Sequence, residues 1–336
     1  MPITPPTVST SQDPNTLDAS SRLMYEAAQA LGITCTIMPD HQTILMQQGN
    51  LEWYSRGSRT STQSAIGQTI SSNKAIAKQF LQAYQVPTAK SVSITQSSEL
   101  ANLSALQWPL VMKPTKGAHG RGVIVGIQSL TEAELAFQKL AEPALFEEML
   151  QGTEYRIVCI DHRFMAAAYR KAAYVVGDGE HTIEELVALK NQDPNRQAGH
   201  KCKLSSITID EVVLANLQEQ QLAPASIPAI GQEIQLRKTA NLSTGGEAHT
   251  VTHLVCPENK ALFEKIAQIF DLSVIGIDIM CQSLESPISM QPKAGVIEIN
   301  KSPGLRMHHF PSVGEPIDLA TNILTSTIKH LSGLNQ

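Results

Sequence analysis

The stretch Gly295-Val-Ile-Glu-Ile-Asn-Lys-Ser-Pro-Gly-Leu-Arg-Met-His308 decides how this chain is organised. Its β-branched residues favour a strand, in which Glu298 and Asn300 point to the same face. A carboxylate and an amide oxygen at the end of a strand are hard oxygen ligands that suit Mg²⁺. The strand ends at Ser302-Pro-Gly304, and Arg306 is then brought to the same end of the predicted sheet.

A second strand is predicted upstream, over Ser273-Val-Ile-Gly-Ile-Asp-Ile-Met280, with one acid, Asp278, inside an apolar run. An aspartate there is costly to desolvate unless it meets a cation. We therefore predict that the two strands are neighbours and that Asp278, Glu298 and Asn300 offer oxygen ligands to one or two metal ions. Each half alone also fits a strand cap and a salt bridge, since paired structural carboxylates are common.

Composition narrows the class of protein. The 336 residues, 42% of them hydrophobic, suffice for one large domain or a few subdomains. A net charge of -5 without a basic run argues against nucleic acid or an anionic membrane as main partner. The five scattered cysteines indicate neither a disulfide framework nor zinc, which predicts a reduced, cytoplasmic protein. Residues 1–18 are predicted to be a disordered leader.

A lysine-bearing helix is predicted over Ser72–Tyr84, with Ile76, Phe80 and Leu81 on its apolar face. Lys74 stands in its first turn, where the helix dipole disfavours a cation. Both a nearby anion and a solvated surface position account for that lysine.

A glycine-rich turn follows a short strand, Pro109–Pro114, that carries Lys113 near its end. Strand, glycine turn and strand is the arrangement of a flap whose backbone N–H groups wrap phosphates, because only glycine allows such close approach. The flap glycines and histidine are Gly117, His119, Gly120 and Gly122.

The segment Ala144–Glu154 reads as an apolar strand that carries Glu147 and Glu148 and ends near Gly152. Its backbone groups suit an adenine edge, and the Glu154 carboxylate suits a ribose. The double acid alone also fits a solvated strand edge.

The rest of the chain supplies a frame and further cations. Residues 19–70 are predicted to form a small α/β domain, and Ser55–Ser61 reads as a loop. Thr182 and Glu185 have the spacing of a capping box, and a mainly helical insertion is predicted near residues 180–230. The turn that follows contains Arg237 and Asn241, both suited to bind anions.

Together these groups favour magnesium with a nucleoside triphosphate, because metal ions and lysines neutralise the charge of the transferred phosphoryl group. The chain has more cationic side chains than a nucleotide needs, and the surplus arginines are Arg170, Arg237 and Arg306. They suit an acceptor that bears a carboxylate, which a guanidinium holds with two hydrogen bonds.

The chain resembles the ATP-grasp superfamily, and closely the ATP-grasp portions of cyanophycin synthetase and bifunctional glutathione synthetase, from about Leu31 to Leu331. The motifs that carry the resemblance are KPTKGAHGRGV, FEEMLQGTEYR, YVVGDGEHTIEEL, LRKTANLSTGG, GIDIM and EINKSPGLRMH. The resemblance implies an α+β ATP-grasp fold with the nucleotide between two antiparallel-sheet subdomains, at 71–150 and 151–336, and a small N-terminal α/β cap.

The resemblance also implies roles for individual residues. It implies that Lys74, Lys113 and the flap bind the phosphates. The adenine would be bound by Glu147, Glu148, Met149 and Leu150, and the ribose by Glu154. Magnesium, with Mn²⁺ as a substitute, goes to Asp278, Glu298 and Asn300. Arg237 and Asn241 are expected over the transferred phosphoryl group, and Arg170 and Arg306 are expected at substrate carboxylates.

The activity implied by the resemblance is that of a carboxylate–amine ligase that forms an amide through an acyl phosphate, on an amino acid or short peptide. A glutathione-synthetase-type ligase and an inactive ATP-binding regulator are the alternatives, and a dimer or tetramer is typical of relatives. The absence of the relatives' other domains favours joining one amine to one carboxylate over building a polymer. Three positions differ from the pattern of the relatives. Gly276 stands where many D-alanine:D-alanine-like ligases have an arginine, and Lys171 stands where the relatives have an apolar residue. Lys301-Ser302 replaces a small, glycine-containing pair.

Overall fold

The protein is described from a computed structural model, which covers residues 13–117, 122–140, 143–194, 196–197, 204–240 and 242–333. These residues form helices and mainly antiparallel sheets, which confirms the predicted α+β class. The chain divides into unit 1 (Met1–Ala167, Thr252–Gly304, Leu319–Gln336) and unit 2 (Ala168–Val251, Leu305–Asp318). Within the described ranges, no helix combines the length and apolar character that crossing a membrane requires.

The α-helices of the described residues are α1 (Ala19–Ala30), α2 (Ala65–Ser71), α3 (Lys74–Ala83), α4 (Leu130–Leu140), α5 (Ile183–Asn191), α6 (Glu211–Glu219), α7 (Pro257–Phe270), α8 (Arg306–His309) and α9 (Leu319–Leu331). The strands are β1 (Thr34–Ile37), β2 (Thr43–Gln48), β3 (Leu51–Arg56), β4 (Arg59–Thr60), β5 (Ser91–Ile94), β6 (Leu110–Pro114), β7 (Ile124–Ile127), β8 (Ala144–Glu148), β9 (Thr153–Ile160), β10 (Arg163–Lys171), β11 (Tyr174–Val176), β12 (Arg196–Gln197), β13 (Leu204–Ser205), β14 (Glu233–Gln235), β15 (Glu247–Thr250), β16 (Val274–Cys281) and β17 (Gly295–Asn300).

The N-terminal sheet of unit 1 has the order β1-β2-β3-β4. The predicted loop Ser55–Ser61 is wrong in part, since β3 continues to Arg56 and turns through Gly57, whose φ is +60°, into β4. Ser55 pairs with Thr60 across this hairpin. Backbone pairing and burial of Ser55 outweigh the polar composition that suggested a loop.

The second sheet of unit 1 has the order β5-β8-β6-β7. One face of it carries Met112 and Phe146, which are buried with Phe137 of α4 in a common core. Because side chains alternate along a strand, Lys113 and Glu147 lie on the opposite face. Their strands are neighbours, with Lys113 opposite Leu145 and Val111 opposite Glu147.

The third sheet of unit 1 is built around β16, which pairs antiparallel with β9 on one side and β17 on the other. Ile275, Ile277 and Ile279 are fully buried, so the strand reads as nearly continuous apolar sequence. The predicted pairing of the Asp278 strand with the Glu298 strand is confirmed, and it fixes the row of side chains described below.

Unit 2 has its own buried core, formed by α5, α6 and the β11–β14 pair, with Ile183, Val213, Leu217 and Ile234 inside. The predicted capping box at the start of α5 is confirmed, because Thr182 and Glu185 exchange side-chain-to-backbone hydrogen bonds. The last residues of β10 pair with β15, with Ala168 opposite Thr250. The insertion is therefore a folded body rather than a solvated loop.

Candidate active site

A row of charged side chains crosses three strands of unit 1. Arg156 of β9, Asp278 of β16 and Glu298 of β17 are register partners, and directly opposed residues have Cβ atoms about 4.5–5.5 Å apart. Asn300 lies two positions beyond Glu298, and its Nδ2 donates to Asp278 Oδ2 at 3.0 Å. The structure thus brings together all three residues that the sequence proposed as metal ligands.

Arg156 was absent from the sequence prediction, and its guanidinium makes two hydrogen bonds to the Asp278 carboxylate. Nε donates to Oδ1, and Nη2 donates to Oδ2 at 2.9 Å. Burial lowers the pKa of Arg156, but the attraction of Asp278 outweighs burial and raises that pKa above its ordinary value. A cation in the strand Tyr155–Ile160 was the available signal, because a charge inside an apolar strand needs a partner.

The neighbourhood of Gly276 explains why the guanidinium comes from β9. A Cβ atom at Gly276 would lie 2.7 Å from Pro303 Cβ, closer than real contacts allow. An arginine at that position would therefore have to displace the turn after β17. Arg156 delivers the charge to Asp278 from the opposite neighbouring strand instead.

Lys74 closes the other end of the row. It is the first residue of α3, and its Nζ lies 3.2 Å from Glu298 Oε1 and donates to the Gly117 carbonyl at 2.8 Å. The Lys74 side chain is 14% exposed and the Glu298 side chain 32% exposed. A lysine at this poorly suited helix end is held by a carboxylate and by the first residue of the glycine turn, which accounts for its place against the dipole.

Lys113 and Glu147 form a second buried ion pair, joined by Lys78, a residue absent from the sequence prediction. Lys113 Nζ contacts Glu147 Oε2, and Lys78 Nζ lies 2.6 Å from Oε1. Burial raises the pKa of Glu147, but the two ammonium groups together hold that pKa below its ordinary value. Glu147 is therefore a carboxylate with one lysine on each oxygen.

The apolar face predicted for α3 is wrong in part because of this pair. Ile76 is 38% exposed, whereas Lys78 is 3% exposed and buried beside Ala77 and Leu81. The ion pair with Glu147 compensates for burying the charged lysine, so the buried face of α3 includes Lys78 and not Ile76.

The remaining residues assigned to the nucleotide lie along β8, β9 and the glycine turn. Glu148 Oε1 accepts a hydrogen bond from the Gln107 backbone at 3.0 Å, which ties that carboxylate to the preceding segment. Met149 and Leu150 are half-buried after β8, and Glu154 is exposed near the start of β9. Gly117 and Gly122 flank the turn, and His119 and Gly120 lie outside the described residues.

In unit 2, Arg237 is paired with an acid. Its Nη2 donates to Asp210 Oδ2 at 2.5 Å, and Asp210 also caps α6 by accepting from the Val213 backbone. Arg170 lies on β10 and Arg306 begins α8, both half-buried. Asn241 lies outside the described residues.

The same unit contains a buried carboxylate that the sequence did not single out. Glu247 lies 2.7 Å from Lys190 Nζ and 3.1 Å from Arg196 Nη2. Arg196 Nη1 also donates to the carbonyls of Ser205 and Gly245 at 2.7 and 3.0 Å. Burial raises the pKa of Glu247, but its hydrogen bonds and cations lower it to about 2.

Across the described part of the chain, no group of three or more His, Cys, Asp and Glu side chains is placed to hold a metal ion. The group Asp278, Glu298 and Asn300 is of a different kind, since it combines two carboxylates with one amide. Two carboxylates and a carboxamide are the oxygen donors that Mg²⁺ accepts, with water completing its shell. The donor set therefore fits a magnesium ion.

Known proteins are similar to this chain in sequence and in structure. No protein-family model matches the chain. It is 33% identical over 325 residues to cyanophycin synthetase of Crocosphaera subtropica, which covers 88% of this chain and 37% of the relative. The crystal structure of a bifunctional glutathione synthetase from Pasteurella multocida superposes with a TM-score of 0.76 at 30% identity, over 96% of this chain and 44% of that one. The chain has the ATP-grasp fold.

A further relative is the glutathione biosynthesis bifunctional protein of Streptococcus agalactiae, 31% identical over 329 residues, or 94% of this chain and 44% of the relative. The chain thus spans less than half the length of these relatives. The similarity confirms the predicted ATP-grasp fold, and the activity and substrates of the longer proteins enter below as proposals.

Proposed function

We propose that this protein is an ATP- and Mg²⁺-dependent ligase that joins a carboxylate to an amine on an amino acid or short peptide. The observation that carries the proposal is the row Arg156–Asp278–Glu298–Lys74, in which two carboxylates are each paired with a cation. Such a row fits a site in which Arg156 stays on Asp278 while a metal ion takes the place of Lys74 beside Glu298.

Asp278, Glu298 and Asn300 would hold the magnesium ions. The metal supplies neutralisation of the charge on the β- and γ-phosphates. Lys74 already pairs with Glu298 and would turn towards the phosphates once a metal neutralises that carboxylate. Arg156 would keep the Asp278 carboxylate oriented, because two parallel hydrogen bonds fix its plane.

The residues proposed for the nucleotide lie on neighbouring elements of unit 1. Lys113 would reach the phosphates from the end of β6, Met149 and Leu150 would contact the adenine after β8, and Glu154 would accept from the ribose. Their placement within one unit supports the proposal. We propose Arg170, Arg306, Arg237 and Asn241 of unit 2 as the groups that serve the substrate.

The proposed reaction has two steps. A substrate carboxylate oxygen attacks the γ-phosphorus of ATP, the bond to the β-phosphate oxygen breaks, and ADP leaves. A neutral amine then attacks the acyl carbon of the resulting acyl phosphate, phosphate departs, and the amine proton is released. The products are an amide, ADP and phosphate.

A mechanism of this kind predicts ADP release that requires both substrates. We would incubate the protein with ATP, Mg²⁺ and pairs of amino acids and dipeptides, and measure ADP together with the mass of the product. An amide whose mass equals the two substrates minus water supports the proposal. ATP binding without ADP release on any pair would favour a nucleotide-binding regulator, and a phosphorylated product a kinase.

A second candidate is a ligase that joins a γ-glutamyl dipeptide to glycine. The 96% coverage by the bifunctional glutathione synthetase structure favours it. Comparing γ-glutamylcysteine plus glycine with aspartate- and arginine-bearing acceptors in the same assay separates the two. Turnover with the pair γ-glutamylcysteine and glycine, and with none of the other acceptors, would select this second candidate.

A further inference from the structure

Lys78 is a lysine buried in the middle of α3, outside the residues assigned to the nucleotide. It is 3% exposed, and its ammonium has three oxygen neighbours. It lies 2.6 Å from Glu147 Oε1 and donates to Thr88 Oγ1 at 2.5 Å and to the Val296 carbonyl at 3.2 Å. These neighbours come from β8, from the segment between α3 and β5, and from β17, so three parts of the chain hold the ammonium.

The two oxygens of Glu147 have different partners. Oε1 is buried and forms an ion pair with Lys78 Nζ at 2.6 Å, and Oε2 contacts Lys113. The Lys113 side chain is 12% exposed, against 4% for Lys78. Lys113 can therefore leave Glu147 for a phosphate, whereas Lys78 is held by Thr88 and Val296 and stays.

We propose that Lys78 is a positioning residue that selects adenine over guanine at this site. The inference rests on the proposed ATP-dependent function. When Lys113 turns to the phosphates, Lys78 stays on Oε1 as the counter-charge of Glu147. Oε2 is then a free, charged acceptor.

A free carboxylate oxygen accepts a hydrogen bond from the amino group at position 6 of adenine. It repels the carbonyl oxygen that guanine has at the same position. Without Lys78, a buried Glu147 that has lost Lys113 would have no cation beside it, and such a carboxyl group takes up a proton. A protonated group donates as well as accepts, and the preference for adenine would fall.

The test compares direct binding of ATP and GTP in the presence of Mg²⁺, measured by calorimetry on the wild type and on Lys78→Met. We expect the wild type to bind ATP more tightly than GTP and the variant to lose about tenfold in ATP affinity with little change for GTP. With saturating ATP, turnover should fall less than the apparent affinity. Lys329→Met, which removes an exposed lysine of α9, is the matched control and should leave the ratio unchanged.

A second variant keeps the test decisive if Lys78→Met does not fold. The pair Lys78→Met and Glu147→Gln replaces the buried ion pair by neutral groups, which proteins tolerate better than half a pair. We expect this double variant to fold and to bind ATP and GTP about equally, because an amide both donates and accepts. A folded variant of either kind with the wild-type ratio overturns the role of Lys78. A wild type that binds neither nucleotide overturns the proposed function itself.

Discussion

Two buried carboxylates, Asp278 of unit 1 and Glu247 of unit 2, have different surroundings. Glu247 forms ion pairs with Lys190 and Arg196. Arg196 also donates hydrogen bonds to the carbonyls of Ser205 and Gly245. Asp278 is bound by the guanidinium of Arg156 and the amide of Asn300. Its neighbour in the row is Glu298, whose side chain is 32% exposed. A carboxylate whose cations are bound to the backbone is structural, whereas a row with an exposed end can exchange its partners. Burial of charge alone does not distinguish the two.

The largest expected effect comes from Asp278→Asn, which keeps the shape and removes the charge. We expect ATP-dependent turnover and Mg²⁺-dependent nucleotide affinity to fall at least about a hundredfold, because the proposed metal site loses the charge of one carboxylate and Arg156 loses its anionic partner. ADP release and calorimetric titration with Mg²⁺ measure the two losses.

The matched control is Asp271→Asn, the same substitution at an exposed aspartate that ends α7 with left-handed backbone, which asparagine tolerates. It should leave both quantities unchanged. If Asp278→Asn retained wild-type turnover and Mg²⁺ dependence, the row would be structural, like Glu247.

The intermediate effect concerns stability. The pKa of Glu247 is lowered from 4.5 to about 2, so its charged form stabilises the folded state. This contribution is fully present above about pH 4.5 and is lost as pH falls towards 2. We expect Glu247→Gln to lower the free energy of unfolding of unit 2 by about 3 kcal/mol at pH 7.

Denaturant unfolding of both proteins at pH 7 and pH 3 measures this gap, which should shrink at the lower pH. Glu233→Gln removes a carboxylate that is 47% exposed and paired with Lys171. It should cost less than about 1 kcal/mol. A gap for Glu247→Gln that is the same at both pH values would contradict the assignment of its stabilising role to charge.

The smallest effect lies at the start of α5, where neither a buried charge nor a reaction is involved. Thr182 Oγ1 accepts from the Glu185 backbone at 3.2 Å. Thr182→Ala should destabilise unit 2 by about 1 kcal/mol, measured by thermal unfolding. Thr182→Ser keeps the hydroxyl and should cost much less, and equal losses would show that the cap is not the cause.

Much of the fold and part of the site follow from local sequence. The apolar run around Asp278 and the alternation of Glu298 and Asn300 predict two strands, and their shared need for a cation predicts that they meet. The box at Thr182 and Glu185 is equally local, since both partners lie within one helical turn. The roles of the site residues themselves stay predictions.

Other features depend on contacts between distant parts of the chain. Arg156 meets Asp278 because β9 and β16 pair in one register, and nothing in either strand specifies that register. A helical wheel places Ile76 inwards, but Lys78 is buried instead because it forms an ion pair with Glu147 of β8, which is distant in sequence. The hairpin within Ser55–Ser61 is a different case, because Ser55 pairs with Thr60 of the same segment and only the polar composition suggested a loop.

The pairing of Ala168 with Thr250 places the two ends of the long segment between β10 and β15 on adjacent strands. Neighbouring strands lie about 4.8 Å apart, so the polypeptide leaves and returns at almost the same point. A segment attached in this way can be lengthened, shortened or exchanged for the corresponding segment of another ligase without moving its attachment points. Evolution and protein engineering can thus treat residues 172–246, which lie between the paired residues Lys171 and Glu247, as a replaceable segment.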